Sequence, residues 1–408
     1  MINTRLEADY WVVDSDGDFA PAGSIADTEG IAAEKRALAS LVTVTTPSCE
    51  SSSALRQAFV ARLEAACERA ADAERRLVPL ATPINGDPVV DRSGGDRTRL
   101  QRVIDDAAND GADGSGTGLG AEPGSNADRG PYCAGARVCV EQRSVTDQLN
   151  ALLALTPALA LVNTSPYVGG DRVAVGARTH CYRTRLGGTR THSDQPCRYV
   201  DSAADWTRRL EERYERVADR AVDNGVDPAA VADHLEPAAV GWTPVALRER
   251  AEPPMLEWRA PDTALPRQLL GLAEDVATVM DRLRRGTVRI GGRGERGESR
   301  GRLGPRETER DGAAPPGRVT RNGLALPRST TVADLVDAAT YEGLESTPLV
   351  AYLERMGFAV DDYHPISARI DGRQFVTRAD ARELRLEYAG LLEADVAALA
   401  ESAESTES

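Results

Sequence analysis

Glu257 and Arg259 lie two residues apart in Met255–Asp262, where Leu256, Trp258 and Ala260 alternate with them in the period-two pattern of a β-strand. An acid and a guanidinium therefore share one face, backed by an apolar face fit to pack on helices. That pair suits a phosphate: the carboxylate can hold Mg²⁺ while the guanidinium forks onto phosphate oxygens. It equally suits a cross-strand ion pair on a half-buried sheet. Near the other end of the chain, Arg5–Asp14 alternates in the same way, with Glu7 and Asp9 on one face and Leu6 and Tyr10 on the other. Two acids on adjacent same-face positions repel unless a cation lies between them. A Mg²⁺ site and a solvated edge-strand face are both open readings of that strand.

These residues need a sheet and helices to hold them, and the chain carries the pattern for both. Val42–Thr46, Val78–Pro83, Cys133–Gln142 and Trp242–Leu247 read as further strands. In Cys133–Gln142, Ala136, Val138 and Val140 fall on one face and Arg137, Cys139 and Glu141 on the other. Helices are expected from a Ser53 cap to about Arg76, over Val145–Leu161, over Asp205–Asn224 up to the stop at Gly225, and over Leu265–Arg285. Asn163-Thr164-Ser165-Pro166-Tyr167 reads as a polar turn after the second of these. Towards the C-terminus, Thr347 with Pro348 opens a helix that stops at Gly357, Ile370-Asp-Gly-Arg reads as a hairpin turn, and Thr377-x-x-Asp380 is a capping box for a last helix to about Ala400.

The chain has 408 residues and a formal net charge of −15, and Lys35 is its only lysine. Such acidity, with arginine as nearly the whole basic complement, is the composition of a protein kept soluble at high salt, and it argues against nucleic acid as a general partner. The longest apolar run, Leu149–Val162, contains Pro157 and is short for a bilayer, so no membrane partner is expected. The first residues run into a strand pattern without a signal-peptide signature, and the six cysteines include no CxxC pair, which together give a cytoplasmic expectation with reduced thiols. His180, Cys181, His192 and Cys197 fit no closed zinc spacing. Residues 107–130 are acidic and rich in Gly, Ser and Asn, as in a disordered insertion. Residues 286–327 are rich in Gly and Arg; the interspersed Glu295, Glu298, Glu307 and Glu309 favour a solvated linker over an RNA-binding tract.

In their order these pieces resemble the glutamate–cysteine ligase type 2 family of carboxylate–amine ligases. The family's Glu-x-Glu strand running into Val-Val-Asp is similar to Leu6-Glu7-Ala8-Asp9-Tyr10-Trp11-Val12-Val13-Asp14, and its Thr-Pro-x-x-Glu to Thr46-Pro47-Ser48-Cys49-Glu50. Its Ala-Asn-Ser-Pro-Tyr turn is similar to Val162-Asn163-Thr164-Ser165-Pro166-Tyr167. Its Val-Arg and Val-Glu-Val-Arg-x-x-Asp resemble Leu247-Arg248 and Leu256-Glu257-Trp258-Arg259-Ala260-Pro261-Asp262. Four positions depart. Ala134-Gly135-Ala136-Arg137-Val138-Cys139-Val140 stands where the family has Ala-Gly-x-His-Val-His-Val, Thr43 stands for a glutamate, and Asp9 is a methylene shorter than the family's acid.

The resemblance implies an α+β fold: a glutamine-synthetase-like antiparallel β-sheet with helices packed on one face, plus a small C-terminal helical and hairpin unit. It assigns residues 1–285 to a catalytic domain interrupted at 107–130, followed by the 286–327 linker, the 328–400 unit and a polar tail at 401–408. It further implies ATP and Mg²⁺ as cofactors and an amide made through an acyl phosphate from small-molecule substrates, an amino-acid carboxylate and an amine. On this reading Glu7, Asp9 and Glu257 hold Mg²⁺, Arg259 and Arg248 bind phosphate oxygens, Arg137 is a fixed cation in place of a histidine, and Asn163 and Tyr167 contact substrate or nucleotide. The alternative is a paralogue that binds nucleotide or amino acid as a regulator or partner subunit, favoured by Arg137, Cys139 and Thr43. A homo-oligomer is compatible with either.

Overall fold

Strand β1 (Thr4–Asp14) buries every even-numbered side chain from Leu6 to Val12 on one side, as its alternation requires, and it is the axis of the main sheet. The computed structural model describes residues 2–27, 29–33, 38–89, 132–185, 197–235, 243–249, 251–283, 286–291, 317–321 and 323–407. The expected insertion at 107–130, most of the 286–327 linker, Trp242 and His192 lie outside them.

In chain order, β1 is followed by β2 (Ile31–Ala33), β3 (Leu41–Thr45), α1 (Ser52–Asp72), β4 (Arg75–Val78), β5 (Ala136–Glu141) and α2 (Val145–Leu155). Next come β6 (Tyr167–Val168), β7 (Asp171–Arg172), α3 (Ala177–Arg185), α4 (Ala203–Asp223) and α5 (Pro228–His234). Strands β8 (Val245–Arg248) and β9 (Met255–Trp258) precede α6 (Pro266–Leu283), and β10 (Thr287–Ile290), β11 (Arg318–Thr320) and β12 (Gly323–Leu326) make a small separate sheet. The chain ends with α7 (Ser329–Tyr341), α8 (Thr347–Arg355), α9 (Ile366–Ile370) and α10 (Arg378–Glu407).

The main sheet runs β2-β3-β1-β5-β9-β8, with β4 also paired to β1, and every pairing in it is antiparallel. The fold is thus α+β, mixed helix and antiparallel sheet. Val42 and Val44, the even residues of β1, Ala136, Val138 and Val140 of β5, Leu256 and Trp258 of β9 and Val245 of β8 share one core with α1, α2 and α6. Residues 349–363 and the far end of α10 belong to the same core, so these parts of 328–400 pack directly on the sheet's helical layer. On the opposite face, Trp11 and Val13 are covered by Ile366, Val376, Ala381 and Tyr388.

Several element ends differ from their sequence expectation, each for a local reason. Ser51, not Ser53, caps α1 by accepting from the Ala54 N–H at 3.1 Å. The helix stops at Asp72 because Glu74 takes a left-handed backbone, φ 57°, which a glutamate gives no hint of in sequence. Thr287–Ile290 pairs in parallel with Gly323–Leu326, so both margins of the expected linker are strands. The expected hairpin turn at Ile370–Arg373 joins a helix to a loop instead, with Asp371 held by the Arg172 fork at 2.6 and 2.7 Å. Nothing after Ala400 breaks a helix, and α10 continues through the expected polar tail to Glu407. The capping box is present: Thr377 Oγ1 donates to Asp380 Oδ2 at 2.7 Å and accepts from the Asp380 N–H at 3.2 Å. Val145–Val162, which extends α2 by a 3-10 turn through Pro157, is long and apolar enough to cross a membrane, contrary to expectation; 83% of it is buried inside the protein, which accounts for its apolarity.

The C-terminal helix is joined to the first hairpin through a buried cation. Arg385 donates to the carbonyls of Gly17 at 2.7 Å, Pro83 at 2.9 Å and Asn85 at 2.7 Å, and its guanidinium lies 4.4 Å from the Phe19 ring centroid. Removing it takes this donor from all three carbonyls, of which Pro83 alone keeps a backbone partner, the Asn85 N–H at 2.8 Å. Arg385→Met is expected to lower the unfolding free energy by about 3 kcal/mol or more, read from a urea melt.

Candidate functional site

The odd-numbered side chains of β1, β3, β5 and β9 gather on the face away from the helices. Glu7 is paired across strands with Arg137, and Cys139 with Glu257, so register alone brings two acids, a thiol and a guanidinium together. One donor atom from each of Glu7, Cys139 and Glu257 lies within 4.8 Å of the others. Arg137 stands among them, its Nη1 3.6 Å from Glu7 Oε2 and its Nε 4.0 Å from Glu257 Oε1. Arg5 binds the other Glu7 oxygen.

Glu257 is buried, with its side chain 1% exposed. Arg248 Nε donates to its Oε2 at 2.6 Å, and Arg259 Nε lies 3.6 Å from Oε1, which accepts no hydrogen bond. Burial raises the carboxyl's pKa, but Arg259, Arg248 and Arg137 outweigh it and hold the group below the usual carboxylate range. Arg259 is oriented in turn by the Thr243 hydroxyl, which accepts from its Nη2 at 3.1 Å. The Cys139 thiol is pushed well above its ordinary value by burial and by the Glu257 and Glu7 charges, so at neutral pH it is a protonated thiol.

The structure brings together five of the residues singled out by sequence, Glu7, Arg137, Arg248, Glu257 and Arg259, and it also places Asp9 on the same face. Asp9 is engaged differently from a metal ligand. Its Oδ1 accepts from Arg137 Nη1 at 3.0 Å and the Thr43 hydroxyl at 2.8 Å, and its Oδ2 from Arg137 Nη2 at 3.2 Å and the Gly135 N–H at 3.1 Å. Among the described residues, Glu7, Cys139 and Glu257 are the group whose donor atoms lie close enough to share an ion. Asn163 and Tyr167 are both fully buried, with their side chains bound to the C-terminal part of the chain. Asn163 Nδ2 donates to Ala339 O at 2.9 Å; Tyr167 Oη donates to Ile370 O at 3.1 Å and accepts from the Arg373 N–H at 3.2 Å.

Two residues that sequence reasoning passed over complete the surroundings. Arg5 sits on the polar face of β1, where its alternation with Glu7 could have signalled it. Arg178, at the start of α3, reaches the carbonyls of Arg259, Ala260 and Pro261 just past β9, and its Nη1 lies 3.8 Å from Asp262 Oδ1. Asp262 Oδ2 accepts from the Thr164 N–H at 3.0 Å, tying the 163–167 turn to the end of the strand. Nothing local marks Arg178, which is one arginine of several in its stretch.

Burial pushes Asp262 up to about 6, against the lowering effects of Arg178 and the Thr164 N–H. A carboxyl raised in the fold costs stability where it is ionised: the cost is full above the folded value and vanishes below the unfolded one, up to about 3 kcal/mol for such a shift. Asp262→Asn removes the titration. Wild type should therefore gain melting temperature relative to Asp262→Asn as the pH falls from about 7.5 to about 5.

No family model matches the chain, and no curated protein matches it. Among solved structures it is similar to a bifunctional glutathione synthetase from Pasteurella multocida, at 13% identity and a TM-score of 0.46 over 96% of this chain and 52% of that one. The chain thus spans about half the length of that protein. It is also similar to a glutamate–cysteine ligase from Francisella tularensis solved in complex with AMP, at 12% identity and a TM-score of 0.42 over 99% of this chain and 93% of that one.

Proposed function

We propose that the polar face of the main sheet is the site of an ATP-dependent carboxylate–amine ligase of glutamate–cysteine ligase type, built on a glutamine-synthetase-like sheet. The observation that carries this reading is the convergence of Glu7 and Glu257 within 4.8 Å, ringed by Arg137, Arg248 and Arg259. Among the described residues of this cluster, four guanidiniums (Arg5, Arg137, Arg248 and Arg259) meet three carboxylates (Glu7, Asp9 and Glu257). The residual charge is positive. Such a cluster favours an anion, and phosphate is the anion that guanidinium forks match best.

Mg²⁺ is bound in proteins through one or two carboxylates together with substrate phosphates and water. Glu7 and the hydrogen-bond-free Oε1 of Glu257 suit that role. Cys139 does not, since a thiol is a poor ligand for so hard a cation, and Asp9 has its oxygens fully engaged. When bound there, Mg²⁺ would supply charge neutralisation at the phosphoryl oxygens. Arg248 and Arg259 bind and orient those oxygens, and Arg137 carries positive charge into the centre of the face. Thr243 and the β8–β9 pairing keep Arg259 and Glu257 aligned. Their contribution is positioning and electrostatic complementarity to an acyl phosphate. The substrates would be an amino-acid carboxylate and an amine.

One observation favours a second reading, a nucleotide- or amino-acid-binding regulator. The Arg137 fork on Asp9 leaves the face one metal ligand poorer than the resemblance implies. The two readings separate by ADP release from purified protein with ATP and Mg²⁺ in molar KCl, with and without glutamate and across amines that include cysteine. The ligase reading expects amino-acid-dependent release that falls about 10²-fold or more in Glu257→Gln. Nucleotide binding without release supports the regulator, and absence of both removes the site.

A further inference from the structure

Past Trp258 the regular ladder ends: the Pro261 carbonyl still accepts the Ala136 N–H at 3.0 Å, while the carbonyls of Arg259 and Ala260 need donors from elsewhere. One guanidinium serves all three. Arg178 Nη1 donates to Ala260 O at 3.0 Å and Pro261 O at 3.1 Å, and Nη2 donates to Arg259 O at 3.1 Å. The same group is the counter-ion of Asp262, which holds the Thr164 N–H. It also explains Gly135: a Cβ there would stand 2.4 Å from Arg178 Nη2 and 2.7 Å from its Cζ. The N–H of that same glycine holds Asp9 Oδ2 at 3.1 Å. A single side chain thus touches the backbone on both sides of the site, at the start of β5 and the end of β9.

We propose that Arg178 is a positioning residue that acts through Arg259: its fork on the 259–261 carbonyls fixes where the Arg259 guanidinium stands against Glu257, and hence how tightly the site holds a phosphate. This rests on the phosphate-binding reading above. A lysine keeps the charge but lacks the planar fork that spans three carbonyls, so charge alone cannot substitute.

The clamp is tested apart from any ligand by a double-mutant cycle read in melting temperature. Gly135→Ala should destabilise the wild-type chain and have little or no effect in an Arg178→Ala background, where the collision is gone. An equal effect in both backgrounds overturns the contact. The positioning role is tested by ATP titration calorimetry with Mg²⁺. Arg178→Lys should weaken ATP binding about tenfold, the loss expected for one misplaced charge-assisted hydrogen bond. Combined with Arg259→Lys, it should add little beyond either change alone, because both act on the same guanidinium. Val396→Ala, a core change in α10 that also lowers stability, should leave ATP affinity unaltered. Wild-type-like affinity in Arg178→Lys, or full additivity with Arg259→Lys, overturns this proposal alone. Absence of ATP binding by the wild type overturns it together with the proposed function.

Discussion

Glu257 is a carboxylate buried in the middle of a sheet, and such a charge is tolerated only when its partners are close and well oriented. Three arginines from three different places meet that condition: Arg137 from β5, Arg248 from β8 and Arg259 from the end of β9. Much of the polar face follows from this requirement. Arg137 also binds Asp9, which is in turn held by Thr43 and Gly135, so the ion pairs form a continuous network across β3, β1, β5, β9 and β8. Because the guanidiniums outnumber the carboxylates, the network is saturated with positive charge before any ligand arrives. A metal would gain little from the carboxylates alone, and a polyanion would release them.

The remaining structure keeps this network in register. The even-numbered side chains of β1, β5 and β9 are locked into the helical layer, which leaves the odd-numbered ones no freedom to slip to the other face. Arg385 and the capping box of α10 hold the C-terminal helix over Trp11 and Val13, which closes the face beside Asp9. Asn163 and Tyr167 join the turn after α2 to α7 and α9.

Much of this was legible in the sequence where the signal is local. Period-two alternation separated Glu7 and Asp9 from Leu6 and Tyr10, and Glu257 and Arg259 from Leu256 and Trp258, and the structure keeps each set on its own face. What was not legible depends on register and on distant packing. Cys139 reads as a lost histidine in one dimension and as the neighbour of Glu257 only once β5 and β9 are paired. The Arg137 fork on Asp9 is invisible in one dimension, because it depends on the β1–β5 pairing. The polar turn at Asn163–Tyr167 suggests ligand contacts because nothing local reveals that α7 and α9 cover it. Glu74 ends α1 through a backbone conformation that its residue type does not announce.

On the proposed reading, the arginines now paired with Glu257 are the phosphate ligands of a nucleotide site. The most direct measurement is the structure of the protein bound to a non-hydrolysable ATP analogue and Mg²⁺. The expected result has Arg248 and Arg259 turned from Glu257 onto phosphate oxygens, with the ion held by Glu7 and Glu257. A nucleotide bound elsewhere, or one bound while Arg248 and Arg259 stay on Glu257, would contradict it.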